Sequence, residues 1–435
     1  MKMRVKMNEQ KHEKNKNTVK NTTHTITYEK RDRKNTIIAW CSWILAVAFV
    51  VLVFSYQTGY AIIKHEVANA NNLSSTQIGL VGATYTWSFA IFQLISGSLL
   101  DRAGIRRVLP IAMTLLSIGI FSFATISSFQ LLIISQMLIA LGACCGFVGA
   151  GTTGGVWFGM AKFGILFAFV EFIASVSATI NQNILTYVID VWGWHNLLYS
   201  MAFVGIILAI LSVIILRDPP EISATRKWPH HPIEFLSHVQ SDIKTTLSKP
   251  KLWVILLLSA TSFAGMLSVG TVWGTDIAMM HSLDKNVASL VLPWGWLGLA
   301  LGSPIFAFLS NMARNRRLFL IGSVSFQAII ILYTIIGTFS SAITVGILYF
   351  LFGFCAGGSM LGFTMAGELA GVKLAGTSSS LVNGTQFVGA GFLIFLPGYL
   401  QSYFAEQSII PFLSIPIILF ISLGFSVLLP ETYKK

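Results

Sequence analysis

The chain has 435 residues, of which 54% are hydrophobic and 11% are charged. A soluble globular domain carries roughly 25% charged residues, so this composition excludes a water-soluble protein. A formal net charge of +12 is also found in proteins that bind nucleic acid. However, the Lys and Arg residues are spread over many segments rather than concentrated in one domain, so we expect no nucleic-acid partner.

The chain begins with a polar tail, residues 1–36, which is rich in Lys, Asn and Thr and has no apolar run. We predict that this tail is disordered. Twelve apolar stretches follow, each near the roughly 20 residues that a helix needs to cross the hydrocarbon layer of a bilayer. They are residues 37–60, 77–100, 108–127, 130–152, 162–188, 195–216, 252–278, 286–310, 318–338, 341–365, 377–400 and 408–430. The sequence therefore predicts an all-α membrane protein with twelve transmembrane helices.

The positions of Lys and Arg predict the orientation. Of the 29 basic residues, 27 lie in segments on the same side as the tail, and only Lys64 and Lys285 lie on the other side. Because basic loops stay in the cytoplasm, we expect a multi-pass protein with both termini cytoplasmic, including residues 431–435.

The longest cytoplasmic loop between spans, residues 217–251, divides the twelve spans into a first half, 37–216, and a second half, 252–430. Two pseudo-symmetric six-helix halves with a binding site between them are typical of alternating-access transporters. This linker contains the adjacent histidines His230 and His231, but prolines flank this pair, so we interpret the linker as an exposed loop rather than a metal site.

A glycine-rich basic motif lies between spans two and three. Its constrained positions are Gly97, Asp101, Arg102, Gly104, Arg106 and Arg107. Gly97 would permit close helix contact and Gly104 a tight turn, while Asp101 could accept hydrogen bonds from a helix N-terminus. The arginines also enforce orientation, but that role does not explain the aspartate and the glycines.

The motif resembles the signature of the major facilitator superfamily, and the resemblance implies the fold of that superfamily, a secondary transporter and a latch that closes its cytoplasmic side. A decayed copy lies 210 positions further on, at Ala307, Asn311, Arg314, Arg316 and Arg317. Since Asn311 replaces the aspartate, we predict an asymmetric latch in which the first copy dominates.

Shorter matches resemble the phagosomal transporter branch of intracellular bacteria. They include residues 273–274, 295–304, 368–369 and 376–377, with Asn383. This resemblance implies uptake of amino acids or similar small nutrients across the bacterial inner membrane, coupled to protons. Some relatives export siderophores, so the direction stays open.

Acidic residues inside spans are the candidates for proton coupling, because ionisable groups in a membrane helix usually face the bundle interior. Glu171 lies deepest, on a polar helical face about 16 Å long that also carries Ser175 and Gln182. Asp276, near the outer end of span seven, is a second candidate. Alternatively, Glu171 is a structural group that is hydrogen-bonded or paired with Lys162.

Other polar and aromatic residues inside spans are candidates for the substrate path. Asn383 and Gln386 occupy the related face of span eleven, although hydrogen bonding between packed helices would explain them equally well. The remaining candidates are Tyr56, Gln57, Tyr60, Tyr85, Gln136, Trp273 and Trp296. Each aromatic residue could instead be a packing or interface residue. Spans one and four lack the basic residue that would bind a substrate carboxylate.

No catalytic, metal-binding or nucleotide-binding pattern is recognisable, so we expect no enzyme, no cofactor and no metal. The energy for transport must then come from an ion gradient. We predict a monomeric carrier whose partners are the bilayer, a small polar solute, most simply an amino acid, and protons. The alternatives are an exporter of siderophores or other small organic molecules, and a receptor of the same fold that does not transport.

Overall fold

The computed structural model describes residues 33–73, 75–223, 228, 232–401, 403–404 and 408–433. All regular structure in these ranges is helical. Most of the predicted tail, together with Lys434 and Lys435, lies outside the described residues.

The helices before the second half are α1 Arg33–Ala70, α2 Ser75–Ala103, α3 Ile105–Thr125, α4 Phe129–Ala143, α5 Gly146–Phe158, α6 Met160–Trp192, α7 Trp194–Ile215, α8 Pro220–Ser223 and α9 Pro232–Leu247. The helices of the second half are α10 Pro250–Ser268, α11 Gly274–Met279, α12 Lys285–Met312, α13 Arg316–Ile336, α14 Ala342–Ala356, α15 Leu361–Ala370, α16 Ala375–Gln401 and α17 Ile410–Gly424. We call α1–α7 the first set and α10–α17 the second set.

Three predicted spans are interrupted helices. A turn at Cys144 and Cys145 separates α4 from α5. A π-helical turn, Val269–Trp273, joins α10 to α11, and a 3₁₀ turn, Gly357–Met360, joins α14 to α15. Apolar composition does not reveal such breaks, because each piece remains as hydrophobic as an unbroken span.

In the described part of the chain, eleven helical stretches are long and apolar enough to cross a membrane. The predicted second span, α2, is 29 residues long but is not among the eleven. It carries Ser88, Gln93, Ser96 and Ser98, all of which are buried. Its polar side chains therefore face other helices rather than lipid, which lowers its mean hydropathy without shortening it.

Backbone conformation repeats along the chain at the interval that relates the signature to its copy. Six of the seven described residues with positive φ form three pairs separated by 210–212 positions. The pairs are Asn72 and Ser282, Gly104 and Arg314, and Gly159 and Gly371. Corresponding connections of the two sets therefore turn in the same way.

The linker contains a packed helix, so its interpretation as an exposed loop was wrong for residues 232–247. Helix α9 buries Val239 and Thr246 and contacts α2, α10 and α16. The sequence signal was the spacing of Phe235, Val239 and Thr246, which places them on one helical face. The adjacent histidines His230 and His231 lie outside the described residues, whereas the third linker histidine, His238, is on α9.

The connections at one end of the bundle carry most of the described basic residues, among them Arg102, Arg107, Lys249 and Arg316. We call this end the basic end and the opposite end the outer end. By the positive-inside rule, the basic end should be cytoplasmic.

Reporter fusions should confirm this orientation. We expect a cytoplasmic signal from fusions after Leu247 and Tyr433, and an external signal from a fusion after Ser282, because both linker and C-terminus follow spans that end at the basic end. The measurement is paired alkaline phosphatase and fluorescent-protein activity in cells. An external signal from the linker would contradict the twelve-helix topology.

Candidate transport site and its closure

A small cavity lies inside the bundle between the two sets of helices. Its polar lining consists of Gln57, Glu171, Asn383 and Gln386. Its apolar lining is Val50, Val53, Phe54, Phe89, Ala143, Phe147, Phe263 and Phe387. The room for the centres of water molecules is about 20 Å³, which suffices for about one water. The helices must therefore separate before a solute can enter.

Glu171 contributes the ionisable group of this lining. Its side chain is 1% exposed, and its Oε1 accepts a hydrogen bond of 2.9 Å from Ser175 Oγ, one helical turn away. The alternative partner, Lys162, is exposed and lies nine positions earlier on α6, about 13 Å along the helix. No ion pair to Glu171 occurs among the described residues.

The two amides of α16 both line the cavity and form hydrogen bonds to other helices. Their role in the substrate path stays a prediction. Asn383 Nδ2 donates to Gln93 Oε1 across the two sets at 3.0 Å. Gln386 Nε2 donates to Ser259 Oγ within the second set at 2.9 Å. The sequence does not single out Gln93, because nothing in its own helix shows that this side chain meets Asn383 of α16.

The tyrosines form a separate cluster toward the outer end. Tyr56 donates to Gln136 Oε1 at 3.1 Å, and the ring centroids of Tyr56 and Tyr85 are 6.0 Å apart. Both tyrosines and Gln136 are buried, and the structure does not place them on the cavity lining. The side chains of Tyr60 and Gln182 are outside the described part of the structure.

The remaining candidates lie near the π-helical turn rather than at the cavity. Trp273 Nε1 donates to Ile394 O at 2.9 Å, and Trp296 Nε1 donates to Gly270 O at 3.3 Å. Both tryptophans therefore hold this turn against neighbouring helices. Asp276 follows the turn on α11 and is half-buried.

Helices α2 and α16 form a continuous seam between the two sets. On α2 the contact residues recur every fourth position, at Phe89, Gln93, Gly97 and Asp101, which places them on one face. Phe89 packs on Phe387 with ring centroids 4.7 Å apart. Moving toward the basic end, the Gln93–Asn383 hydrogen bond comes next, followed by the signature residues.

Asp101 caps the N-terminus of α16. Its Oδ1 accepts from Gly376 N at 2.9 Å, and its Oδ2 accepts from Thr377 N at 2.8 Å and from Thr377 Oγ1 at 3.0 Å. The carboxylate satisfies two N–H groups that no helical carbonyl can reach, and it faces the positive end of the helix dipole. This contact joins the first set to the second at the basic end.

Gly97 allows the two helices to approach this closely. A Cβ atom at Gly97 would lie 2.2 Å from Gly376 O and 2.4 Å from Ser380 Oγ. Both distances are shorter than any real van der Waals contact. Any larger residue at this position must therefore push α2 and α16 apart.

The other signature residues contact connecting segments. Gly104 has φ +83° and its successor Ile105 donates its N–H to Asp218 Oδ1 at 3.1 Å. Arg102 forms an ion pair with Asp242 of α9 at 2.7 Å. These two contacts connect the signature loop to Asp218, which follows α7, and to Asp242 on α9. The side chains of Arg106 and Arg107 are exposed in this state. A role of Arg106 in the latch stays a prediction.

In the decayed copy, the hydrogen bond and the ion pair of Arg316 both lie within the second set. Arg316 Nη1 donates to Ser310 Oγ at 2.7 Å, and Arg316 Nη2 lies 3.3 Å from Glu368 Oε1. Thr432, near the C-terminus, donates to the same carboxylate. The carboxylate of the first copy, Asp101, contacts the second set, and Asn311 has no carboxylate to offer at the corresponding position. The asymmetry of the latch stays a prediction.

Three phenylalanines close the bundle between the cavity and the basic end. Phe363 of α15 stacks on Phe167 with centroids 4.4 Å apart and contacts Phe147 at 5.6 Å. Phe147 and Phe167 belong to the first set, so this aromatic contact also joins the sets. Together with the seam, it closes the basic end in this state.

Replacing Gly97 by Ala should weaken the closed state. The added Cβ atom would meet backbone atoms that cannot move independently, and such overpacking costs about 1–3 kcal/mol. We expect a lower Tm for the detergent-solubilised protein. Gly391→Ala on α16, where a Cβ atom meets nothing within 4 Å, is the matched control. An equal Tm for G97A and G391A would contradict the close approach.

The family can now be stated. A family profile described as Major Facilitator Superfamily matches residues 36–394. The fold also resembles the solved structure of the proton:xylose symporter XylE bound to 6-bromo-6-deoxy-D-glucose, with a TM-score of 0.66 and 15% identity over 92% of this chain and 97% of that one. The chain belongs to the Major Facilitator Superfamily, whose members are membrane transporters.

The names of similar proteins point to different solutes. The "Uncharacterized transporter YybO" of Bacillus subtilis is 21% identical over 86% of this chain and 90% of its own length. The "Multidrug resistance protein MdtL" of Shewanella oneidensis is 24% identical over 80% of this chain and 87% of its own. The "Probable galactarate/D-glucarate transporter GudP" of Bacillus subtilis is 27% identical, over 43% of this chain and 42% of its own. These relatives support a transporter and leave its solute open.

Proposed function

We propose that the protein is a proton-coupled secondary transporter of a small polar solute that carries no net negative charge, with amino acids as the first candidates. The observation that carries this proposal is the cavity, where Glu171 from one set of helices and Asn383 and Gln386 from the other face the same space. A carboxyl that can exchange a proton beside amides that can hold a solute is what coupled transport requires.

The charge of the lining argues against sugar acids. Galactarate and D-glucarate each carry two carboxylates, and the described lining offers no Lys, Arg or His to balance them. Two further negative charges beside Glu171, in a space with little water, would be strongly unfavourable. The partial match to GudP therefore does not extend to its printed solutes. A zwitterion could instead place its ammonium group near Glu171.

The resemblance to the phagosomal branch supports amino acids and inward transport. The similarity to MdtL favours a second candidate, export of an organic molecule, and the five aromatic side chains of the lining would suit an apolar cargo. A small occluded cavity is more easily reconciled with a small solute. Each candidate places the protein in the bacterial inner membrane.

Uptake of labelled amino acids tests the proposal. Cells with and without the gene are given each amino acid in turn, and Asp101→Asn serves as the transport-defective control because Asp101 does not touch the cavity lining. We expect concentrative uptake of at least one amino acid, abolished by a protonophore. Uptake that does not depend on the gene across the whole panel would reject amino-acid import, and gene-dependent resistance to toxic organic molecules would then indicate export.

A further inference from the structure

We infer that Gln93 acts as a positioning residue, which couples the occupancy of the cavity to the opening of the basic end through its hydrogen bond with Asn383. This inference rests on the proposed transport function for its solute, but not for its conformational part. It assigns a role to a residue outside both the signature and the cavity lining.

The first observation is the position of the bond. Gln93 is fully buried on the seam, one turn from Phe89 and one turn from Gly97. Its Oε1 accepts from Asn383 Nδ2 at 3.0 Å, and its own Nε2 donates to Ser96 Oγ at 2.9 Å. The bond is thus a polar link between the two sets of helices. Along the seam it lies between the Phe89–Phe387 contact and the Asp101 contact.

The second observation is that Asn383 belongs to the seam and the cavity at once. It lines the cavity, while its amide nitrogen is engaged by Gln93. A solute that accepts a hydrogen bond from Asn383 Nδ2 can replace Gln93 Oε1 as its partner. Within the described residues, Glu171 and Gln386 form no such link, because their hydrogen-bond partners, Ser175 and Ser259, belong to the same set of helices as they do.

The energetics explain why the link would respond to a solute. Opening the basic end must separate α2 from α16, and the buried Oε1 of Gln93 then loses its donor. A buried polar group without a partner is costly, whereas exchanging one partner for another is nearly neutral. A solute that offers hydrogen bonds to the separating amides lowers the barrier to opening, and an empty cavity leaves the bond in place.

Thiol labelling from the basic end tests the conformational part without any solute. Ser380, fully buried opposite Gly97, is replaced by Cys in a chain whose Cys41, Cys144, Cys145 and Cys355 are replaced by Ser. Inverted membrane vesicles are treated with a membrane-impermeant maleimide. We expect Gln93→Leu to label S380C about tenfold faster, because the closed seam then buries the Asn383 amide without its acceptor and is destabilised relative to the open state.

A matched control is available in Gln327. It is also fully buried and makes two hydrogen bonds with Ser262, but α13 and α10 both belong to the second set. Gln327→Leu should leave labelling of S380C unchanged, although it removes the same chemical groups. Faster labelling in Q327L as in Q93L would show general loosening and overturn the inference, as would unchanged labelling in Q93L.

A double variant guards against simple misfolding. Replacing both partners, Gln93→Leu together with Asn383→Leu, leaves no orphaned amide, so labelling should return toward the original rate. Labelling as fast as in Q93L or faster would mean that lost packing, not the hydrogen bond, opens the seam, and would overturn the inference.

The solute part uses an equimolar mixture of the twenty standard amino acids as the probe. The mixture should accelerate labelling of S380C when Gln93 is present and should have no further effect in Q93L. Equal acceleration in both would overturn the coupling through Gln93. Absence of any effect with Gln93 present, with Q93L still opening the seam, would reject amino acids as the ligand that operates this contact while its conformational role stands.

Discussion

Replacing Glu171 by Gln is expected to abolish proton-driven accumulation of solute while exchange of labelled solute between equal pools continues. The glutamine keeps the size of the side chain and an oxygen that can accept from Ser175, so the cavity keeps its shape. It cannot bind and release a proton. Counterflow needs only the binding site and the motion of the two sets, and therefore survives.

The size of the effect follows from the driving force. One charge moving through 100 mV supplies about 2.3 kcal/mol, which sustains roughly a 50-fold concentration gradient of a solute coupled to one proton. The variant should bring the inner concentration only to the outer one. The measurement is uptake into proteoliposomes with an imposed pH gradient and potential.

Ser175→Ala is the matched control, because it removes the hydrogen-bond donor to Glu171 but leaves the carboxyl group in place. It should still accumulate solute. If E171Q itself concentrates solute in a proton-dependent way, the coupling group must lie elsewhere, with Asp276 and Glu368 as the next candidates.

Much of the fold follows from the sequence, because the bilayer imposes a length and a composition on each span and basic residues record the orientation of the loops. The signature could also be recognised from the sequence, because neither helix packing nor membrane orientation by itself requires a carboxylate and two glycines at this spacing. The expectation that Asp101 accepts from a helix N-terminus matches its contacts with Gly376 and Thr377.

The partners across the bundle were not predictable in the same way. Asp242, which pairs with Arg102, is one of several acids in a polar linker, and only the packing of α9 places it there. Gln93 and Phe363 have no feature in their own helices that predicts their role. Their contacts arise only where α2 packs on α16 and α15 packs on α6. Periodicity within one helix identifies a face, but which face of another helix it meets is a property of the tertiary structure.

Replacing Asp101 by Asn is expected to reduce transport at least tenfold while the amount of protein in the membrane stays near normal. Asp101 accepts hydrogen bonds from two backbone N–H groups and one hydroxyl at the start of α16. An asparagine has one oxygen instead of two, no charge to oppose the helix dipole, and an amide group that would face other donors. Charge-assisted hydrogen bonds of this kind contribute about 1.5–3 kcal/mol each.

This loss acts on a conformational equilibrium rather than on folding. The state with a closed basic end depends on the contact, whereas a state with an open basic end has already broken it. A loss of about 1.4 kcal/mol shifts the equilibrium between the two states tenfold toward the open one. A carrier held with one end open cannot complete its cycle, so transport falls although the helices remain folded.

Asp242→Asn is the matched control for D101N. It tests whether the loss of any acidic charge beside the signature is enough to impair transport. Asp242 also pairs with a signature residue at the basic end, since it accepts from Arg102 Nε and Nη2 and from Ser98 Oγ. Asparagine keeps an oxygen that can accept from these donors, and the charge that it removes faces Arg102, which is 34% exposed, so the loss is about 0–1 kcal/mol. Its loss should change uptake about twofold or less. Uptake, membrane abundance and the rate of S380C labelling are compared in D101N and D242N. We expect only D101N to label faster from the basic end, and unimpaired transport by D101N would show that its contact with α16 is not required for the cycle.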